Sequence, residues 1–291
     1  MTKKVKKHFG DRRDATLVKK LDSMHVIMPL VFPNRCDNEA FISEKIDLTN
    51  LNEWLKEKNS TNPELKYTLF QTVVTAIMKT IILRPKMNRF YKGISLYQRN
   101  DVTAAFVIKV QFDDEAEEAL AIIRADEDDT LEGIRTKIQD YIAKCRNGKK
   151  DDTTEQMDFL SKLPRFVLKM VGAVVRFLDV RGMVPASLIK TDLYHSSVIL
   201  SNLGSIKLKS GYHHLSNWGT TSVFCIIGEK KMSPFFDADG NVTMRETVEL
   251  GLTVDERIAD GYYFSKTIRI FKKLLENPEL LENKLSEEVD C

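Results

Sequence analysis

Two short stretches hold residues whose types and spacing suit proton-transfer chemistry. In "DERIADG" (255–261) an alternating, strand-like run ends in Asp255, Glu256 and Arg257, with Asp260 just before Gly261. A carboxylate in such a turn can act as a general base, or it can be a solvated turn residue. In "GYHHLSNWG" (211–219), His213 and His214 titrate near neutral pH and can accept a proton, with Asn217 or Tyr212 available to orient a ring. Neighbouring residues of an extended segment point to opposite faces, so one histidine of the pair is expected to address a given site. The pair can equally be a hydrogen-bonded element that shapes the turn.

Metal chemistry finds little support. The histidine pair has no third ligand nearby, and Cys36, Cys145, Cys225 and Cys291 form no CxxC pair. "DADGN" (237–241) resembles the start of a calcium loop but lacks the ligands that follow, so it reads as a hairpin turn. No P-loop, GxGxxG, GxSxG or HExxH occurs.

The whole chain is 291 residues, 43% hydrophobic and 30% charged, with a net charge of +2. That balance fits a globular fold and gives no general attraction to nucleic acid. Basic residues concentrate at the start: Lys3, Lys4, Lys6, Lys7, Arg12 and Arg13 make residues 1–20 a basic arm, solvated or in contact with phosphates or anionic lipid. The scattered cysteines and the lack of an apolar leader imply a reduced, cytoplasmic protein.

The most apolar stretch, 163–185, is interrupted by Arg165, Lys169, Arg176, Asp179 and Arg181, too many charges for a spanning helix. As a helix it puts Lys162, Arg165, Lys169 and Arg176 on one stripe, opposite Phe166, Met170, Val171, Val174, Phe177 and Leu178. Such a helix packs in a core or subunit interface, or lies in a membrane surface through 163–178.

The elements that must position these groups alternate between strands and helices. Residues 38–49 read as a half-exposed strand, then a short helix capped by Asn50; Phe70, Val73, Val74, Ile77, Ile81 and Ile82 predict a helix ended by Pro85. Strands are expected at 101–112 and in "ALAIIRAD", and a helix from Thr130. "DDEAEE" (113–118) and "RNGKKDDTTE" (146–155) read as solvated loops. Three strands follow in "SSVILSNLGSI", "TTSVFCIIGEK" and "ETVELGLTV", and a closing helix broken at Pro278. This order predicts a mixed sheet layered with helices in one α/β domain over 21–291.

Four motifs in order carry a resemblance. "IILRPKMNRFYKG", "DVTAAFVIKV", "SVILSNLGSI" and "DERIADG" with "LLENPELL" beyond it resemble the catalytic domain of the dihydrolipoamide acyltransferases of 2-oxoacid dehydrogenase complexes. The resemblance implies the two-layer α/β sandwich of chloramphenicol acetyltransferase, a homotrimer, and an active site between subunits. In that family a histidine deprotonates the thiol of coenzyme A or dihydrolipoamide, and a hydroxyl from the facing subunit steadies the oxyanion. Carried onto this chain, Asp255, Arg257, Asp260 and Gly261 match the Asp-His-Arg-x-x-Asp-Gly signature, and Glu256 stands where the histidine belongs. Ser201, beside Asn202, falls near the oxyanion hydroxyl. The chain starts at the catalytic core, so lipoyl and subunit-binding domains are not expected.

An ordinary glutamate, with a pKa of about 4.3, is a base roughly two units weaker than histidine, or nearly 3 kcal/mol. Burial could raise it, whereas Arg257 beside it would lower it again. Three readings follow. The first is an acyltransferase passing an acyl group from coenzyme A to a small acceptor, with Glu256, His213 or His214 as base, Ser201 at the oxyanion and Asp260 holding the site. The second is a catalytically silent trimer that binds coenzyme A or a partner, and the third a membrane-surface interaction protein.

Overall fold

The computed structural model describes residues 8–61, 63–109, 118–146, 160–237 and 239–290. "RNGKKDDTTE" therefore lies almost wholly outside the described residues, as does all of "DDEAEE" except its last glutamate.

A six-stranded sheet organises the chain. Its strands are β2 (Glu39–Asp47), β5 (Val102–Lys109), β6 (Glu118–Ala125), β7 (Val198–Asn202), β8 (Val223–Phe236) and β9 (Val242–Asp255), in the order β2-β9-β8-β7-β5-β6. β7 runs parallel to both β5 and β8, and every other pair is antiparallel. The alternation read along β9 is the reason one face is apolar: Val248, Leu250, Leu252 and Val254 are all buried in the main core.

Against that face pack α2 (Thr49–Thr61), α3 (Leu69–Leu83), α4 (Leu131–Arg146) and α7 (Gly261–Glu276). α3 starts at a capping box, Thr68 with Gln71, and is buried on nearly all sides. Its one charge, Lys79, is matched by the carbonyl oxygens of Leu280 and Lys284, both at 2.9 Å. These layers form the expected two-layer α/β sandwich. α2 starts at Thr49, one residue before the expected Asn50 cap, because Asp47 Oδ1 accepts from both the Thr49 amide and hydroxyl.

The opposite face of the sheet is covered by the chain between β7 and β8. Leu215 packs there with Ile199, Phe224 and Ile226. The cover lies against bare backbone: a side chain at Gly251 would collide with the carbonyl oxygen of Gly211, and one at Gly228 with Ser210.

A smaller sheet, β1 (Ala15–Leu17), β4 (Ser95–Arg99) and β3 (Arg89–Lys92), draws in the N-terminal segment. The solvated-arm expectation fails at Arg12, while Arg13, Lys19 and Lys20 are exposed. Arg12 is 1% exposed, packs over the rings of Phe90 and Tyr97, and pairs with Asp14 and Asp179. The reason is a buried carboxylate that needs cations. Asp179 sits on α5 (Arg165–Val180), followed by the short α6 (Ala186–Thr191), and it takes Arg12, Lys92 and His195.

The rest of α5 differs from a packed core helix. Phe166, Met170, Val174 and Phe177 are 73%, 60%, 52% and 56% exposed and form one outward apolar stripe. No helix among the described residues is long and apolar enough to cross a membrane.

His195 bridges two carboxylates, with Nδ1 2.9 Å from Asp192 and Nε2 3.4 Å from Asp179. Burial works against its charge, but the hydrogen bonds to Asp179 and Asp192 outweigh it and hold its pKa above the ordinary value. A raised histidine pKa stabilises the fold fully below the unfolded value of about 6.5, and that contribution fades as pH rises through the folded value. The melting temperature of the wild type should therefore fall more steeply from neutral to mildly alkaline pH than that of His195→Gln. Parallel slopes for the two proteins in calorimetry would remove His195 from the account.

Candidate active site

The turn that ends β9 is held from both sides by buried charge. Asp255 is wholly buried, and Arg257 grips it with two parallel hydrogen bonds, Nε to Oδ1 at 2.8 Å and Nη2 to Oδ2 at 2.7 Å. Arg35 stands behind, its Nε 3.6 Å from Asp255 Oδ2. Burial lowers the pKa of the Arg35 guanidinium, and the Asp255 carboxylate opposes that fall. Tyr91 lies under Arg257, and burial pushes its phenol up to about 12.

The same arginines fasten three other segments. Arg257 Nη1 donates to the carbonyl oxygen of Phe32 at 2.9 Å, beyond the end of α1 (Ser23–Val31). Arg35 donates to the carbonyl oxygens of Ser216, Gly219 and Tyr91. Asn38 accepts the Glu256 amide at 2.9 Å through its backbone oxygen. The backbone of residue 256 is thus fixed while its side chain is exposed, and its carboxylate makes no hydrogen bond or ion pair among the described residues. Asp260 caps α7 by accepting from the Tyr263 amide at 2.8 Å, and that hydrogen bond lowers its pKa.

The histidines behave differently from the extended-segment expectation. Their rings stack on each other, centroids 4.5 Å apart, so both lie on one side of the chain. The segment crosses the sheet face rather than running as a strand, which removes the alternation. His213 also stacks on Phe224 at 4.3 Å and 7°. Its Nδ1 lies 3.0 Å from the carbonyl oxygen of His214. A carbonyl can only accept, so the neutral ring carries its proton on Nδ1 and leaves the Nε2 lone pair available.

Neither expected orienting residue serves the histidines. Asn217 accepts from the amides of Arg35 and Cys36 and donates to Cys36 Sγ, and Tyr212 packs on Phe41. An amide side chain beside two unpaired backbone N–H groups is captured by them first.

Ser201 and Asn202 end β7, with Ser201 paired to Ile226 of β8. Ser201 faces the covered side of the sheet, like Ile199 two residues before it. Along the ladder it sits four residues from Ser222, whose oxygen accepts the Asp255 amide, and one strand beyond β8. Strand spacings then put Ser201 roughly 16 Å from the 255–257 turn within one chain, but only about 8 Å from Phe224, under His213. The structure brings His213, His214 and Ser201 to one face and leaves Glu256 apart. No group of three or more His, Cys, Asp or Glu that could hold a metal occurs among the described residues.

Comparisons with known proteins agree with this architecture. Residues 185–282 match the family described as 2-oxoacid dehydrogenases acyltransferase (catalytic domain). A probable dihydrolipoamide acetyltransferase from Listeria monocytogenes 4b F2365 superposes with a TM-score of 0.60 at 15% identity, covering 95% of this chain and 98% of the other. The Azotobacter vinelandii dihydrolipoamide acetyltransferase gives 0.59 at 14%, covering 91% and 93%. A chloramphenicol acetyltransferase gives 0.51 at 10%, covering 90% and 98%. No curated protein matches the sequence. The matched segment contains "SNLG" and "DERIADG", and the fold around it is similar to that of these acyltransferase structures.

Arg35 and Tyr91 were not expected at the site. Nothing near them in sequence marks them, because their partners lie far along the chain. Removing the charge they surround should be costly. Asp255→Asn leaves two buried guanidinium groups without their carboxylate, and a loss of about 3–5 kcal/mol is expected in urea unfolding. A loss under about 1 kcal/mol would mean that the turn is held by packing instead.

Proposed function

We propose that the protein is an acyltransferase that passes an acyl group from coenzyme A to a small acceptor, with His213 as base and Ser201 as oxyanion donor. The observation that carries this reading is the His213 ring: its proton is held on Nδ1 by a carbonyl, its Nε2 is available, and it lies over the same sheet face as Ser201. The acceptor hydroxyl or amine would give its proton to Nε2 and attack the thioester carbonyl. Collapse of the tetrahedral intermediate would break the C–S bond, and Nε2 would return the proton to the departing coenzyme A thiolate, the reverse reaction being thiol attack on the acylated acceptor. In either direction the Ser201 hydroxyl would donate to the oxyanion of the tetrahedral intermediate.

Glu256 is the competing base, favoured by its place in the acyltransferase signature in which Asp255, Arg257 and Asp260 are kept. A glutamate is as a rule a weaker base than a histidine. With Glu256 as base, the distance to Ser201 within one chain requires a second copy to supply the hydroxyl. A homotrimer would do so. The exposed apolar residues Met232, Phe236, Val242 and Met244 along the β8–β9 hairpin, and Ile27 and Leu30 on α1, are suitable contact surfaces between copies. A trimer that binds coenzyme A without turning it over is the corresponding silent alternative.

A second reading has its own observation. The outward stripe of Phe166, Met170, Val174 and Phe177 beside Lys169 and Arg176 suits an anionic membrane surface. Cosedimentation with phosphatidylserine vesicles that is lost in Phe166→Ser/Phe177→Ser would support it; no sedimentation removes it.

The test of the main reading is acyl-CoA consumption with a panel of small hydroxyl and amine acceptors. His213→Gln should lower kcat about 10²–10⁴-fold, and Ser201→Ala about 10²–10³-fold. Loss confined to Glu256→Gln would transfer the base to the β9 turn. Coenzyme A binding without turnover in the wild type would leave the silent trimer.

A further inference from the structure

A cavity of about 190 Å³ lies behind the Asp255–Arg257 turn, and its lining includes Arg35, Tyr91, Lys92, Arg176, Val180 and Arg257. Four of these side chains are cationic and none is a carboxylate. The nearest acids are already engaged. Asp255 is held by both oxygens in the fork of Arg257, and Asp179 by Arg12, Lys92 and His195.

Donor capacity is left over on two sides of the space. Arg35 is 4% exposed, and its buried Nε, in ion-pair range of Asp255 Oδ2 at 3.6 Å, completes no hydrogen bond. Leaving such a donor unmet costs about 1–3 kcal/mol, more on a charged group, and an oxyanion could answer it. At the mouth, Arg176 of α5 is held 5.9 Å over the Trp218 ring, and no carboxylate lies within salt-bridge distance of its guanidinium among the described residues. Tyr91, Pro33 and Val180 supply low-polarity walls, which strengthen any charge interaction made between them.

We propose that this cavity binds a small oxyanion, a phosphate or carboxylate group on a compact molecule, clamped between Arg35 on its floor and Arg176 at its mouth. The planar guanidinium forks match either group. The site is separate from the sheet face that carries His213 and Ser201, and its floor is the brace of the 255–257 turn, so occupancy also steadies that turn.

The experiment is calorimetric titration and thermal melting of the full chain with inorganic phosphate and with malonate, at constant ionic strength set by chloride. Saturable binding and a rise in melting temperature beyond the chloride control are expected, and whichever anion binds more tightly identifies the group. Arg176→Gln should weaken binding at least about tenfold, the equivalent of one charge-assisted hydrogen bond. Val180→Glu, which sets a carboxylate at the mouth, should abolish it. Both positions are exposed, so both variants should melt like the wild type without added anion. Failure of both anions to saturate, or binding that survives both substitutions, overturns the proposal.

Discussion

The buried carboxylate of Asp255 is the constraint on which the rest of the molecule depends. It sits at the end of β9 with no access to water, between the guanidinium groups of Arg257 and Arg35. Three charges removed from solvent carry a desolvation cost of several kcal/mol each, and the arrangement persists because the forks and carbonyls around it meet nearly every donor. Through those carbonyls the cluster binds the end of α1, the β3 strand and the chain that covers the sheet. The local order of the turn is thus a by-product of long-range charge matching.

Asp179 repeats the device on the other side. It gathers Arg12 from the N-terminal segment, Lys92 from the β3–β4 hairpin and His195 from the chain leading into β7. Burial alone would favour its neutral form; hydrogen bonds from His195 and Lys92 and their charges keep it ionised well below the ordinary carboxylate range. Lys92 belongs to this network and also lines the cavity floored by Arg35. The two acidic centres are therefore neighbours through one lysine. α5 is anchored by its single buried acid while its apolar stripe faces outward, an inversion of the usual amphipathic logic.

Much of the sheet and its helical layer was legible in the sequence, because periodicity is a local property. The alternation along β9 and the helical spacing of Phe70, Val73, Val74, Ile77 and Ile81 each announce one buried face. The motif turn and Ser201 were singled out through resemblance, and both lie within the matched segment. The braces were illegible. Arg12 and Asp179 stand 167 positions apart, and the Arg35 amide and Asn217 182 apart, so no window of sequence contains both partners. Asn217 was misread for the same reason: the histidines lie within its own short stretch of sequence, whereas the amides it accepts from, those of Arg35 and Cys36, come from the far end of the chain. The stacked histidines show the opposite failure, a local rule for extended chain applied to a segment that folds across a sheet.

The parallel placement of β7 has a bearing on how this chain can assemble and change. β7 is joined to β5 through parallel pairs such as Ala104 with Val198, far apart in the chain, so it cannot enter the sheet as part of a hairpin. The contact must wait for a large loop to close, which makes β7 a late arrival in folding. Once that closure has been met, its entropy grows only logarithmically with length, about 0.6 kcal/mol for a doubling. The stretch between β6 and β7 is therefore where evolution can lengthen, shorten or replace chain at least cost to the sheet. α5 stands in that tolerant interval, and its outward stripe is free to diverge for as long as Asp179 stays behind.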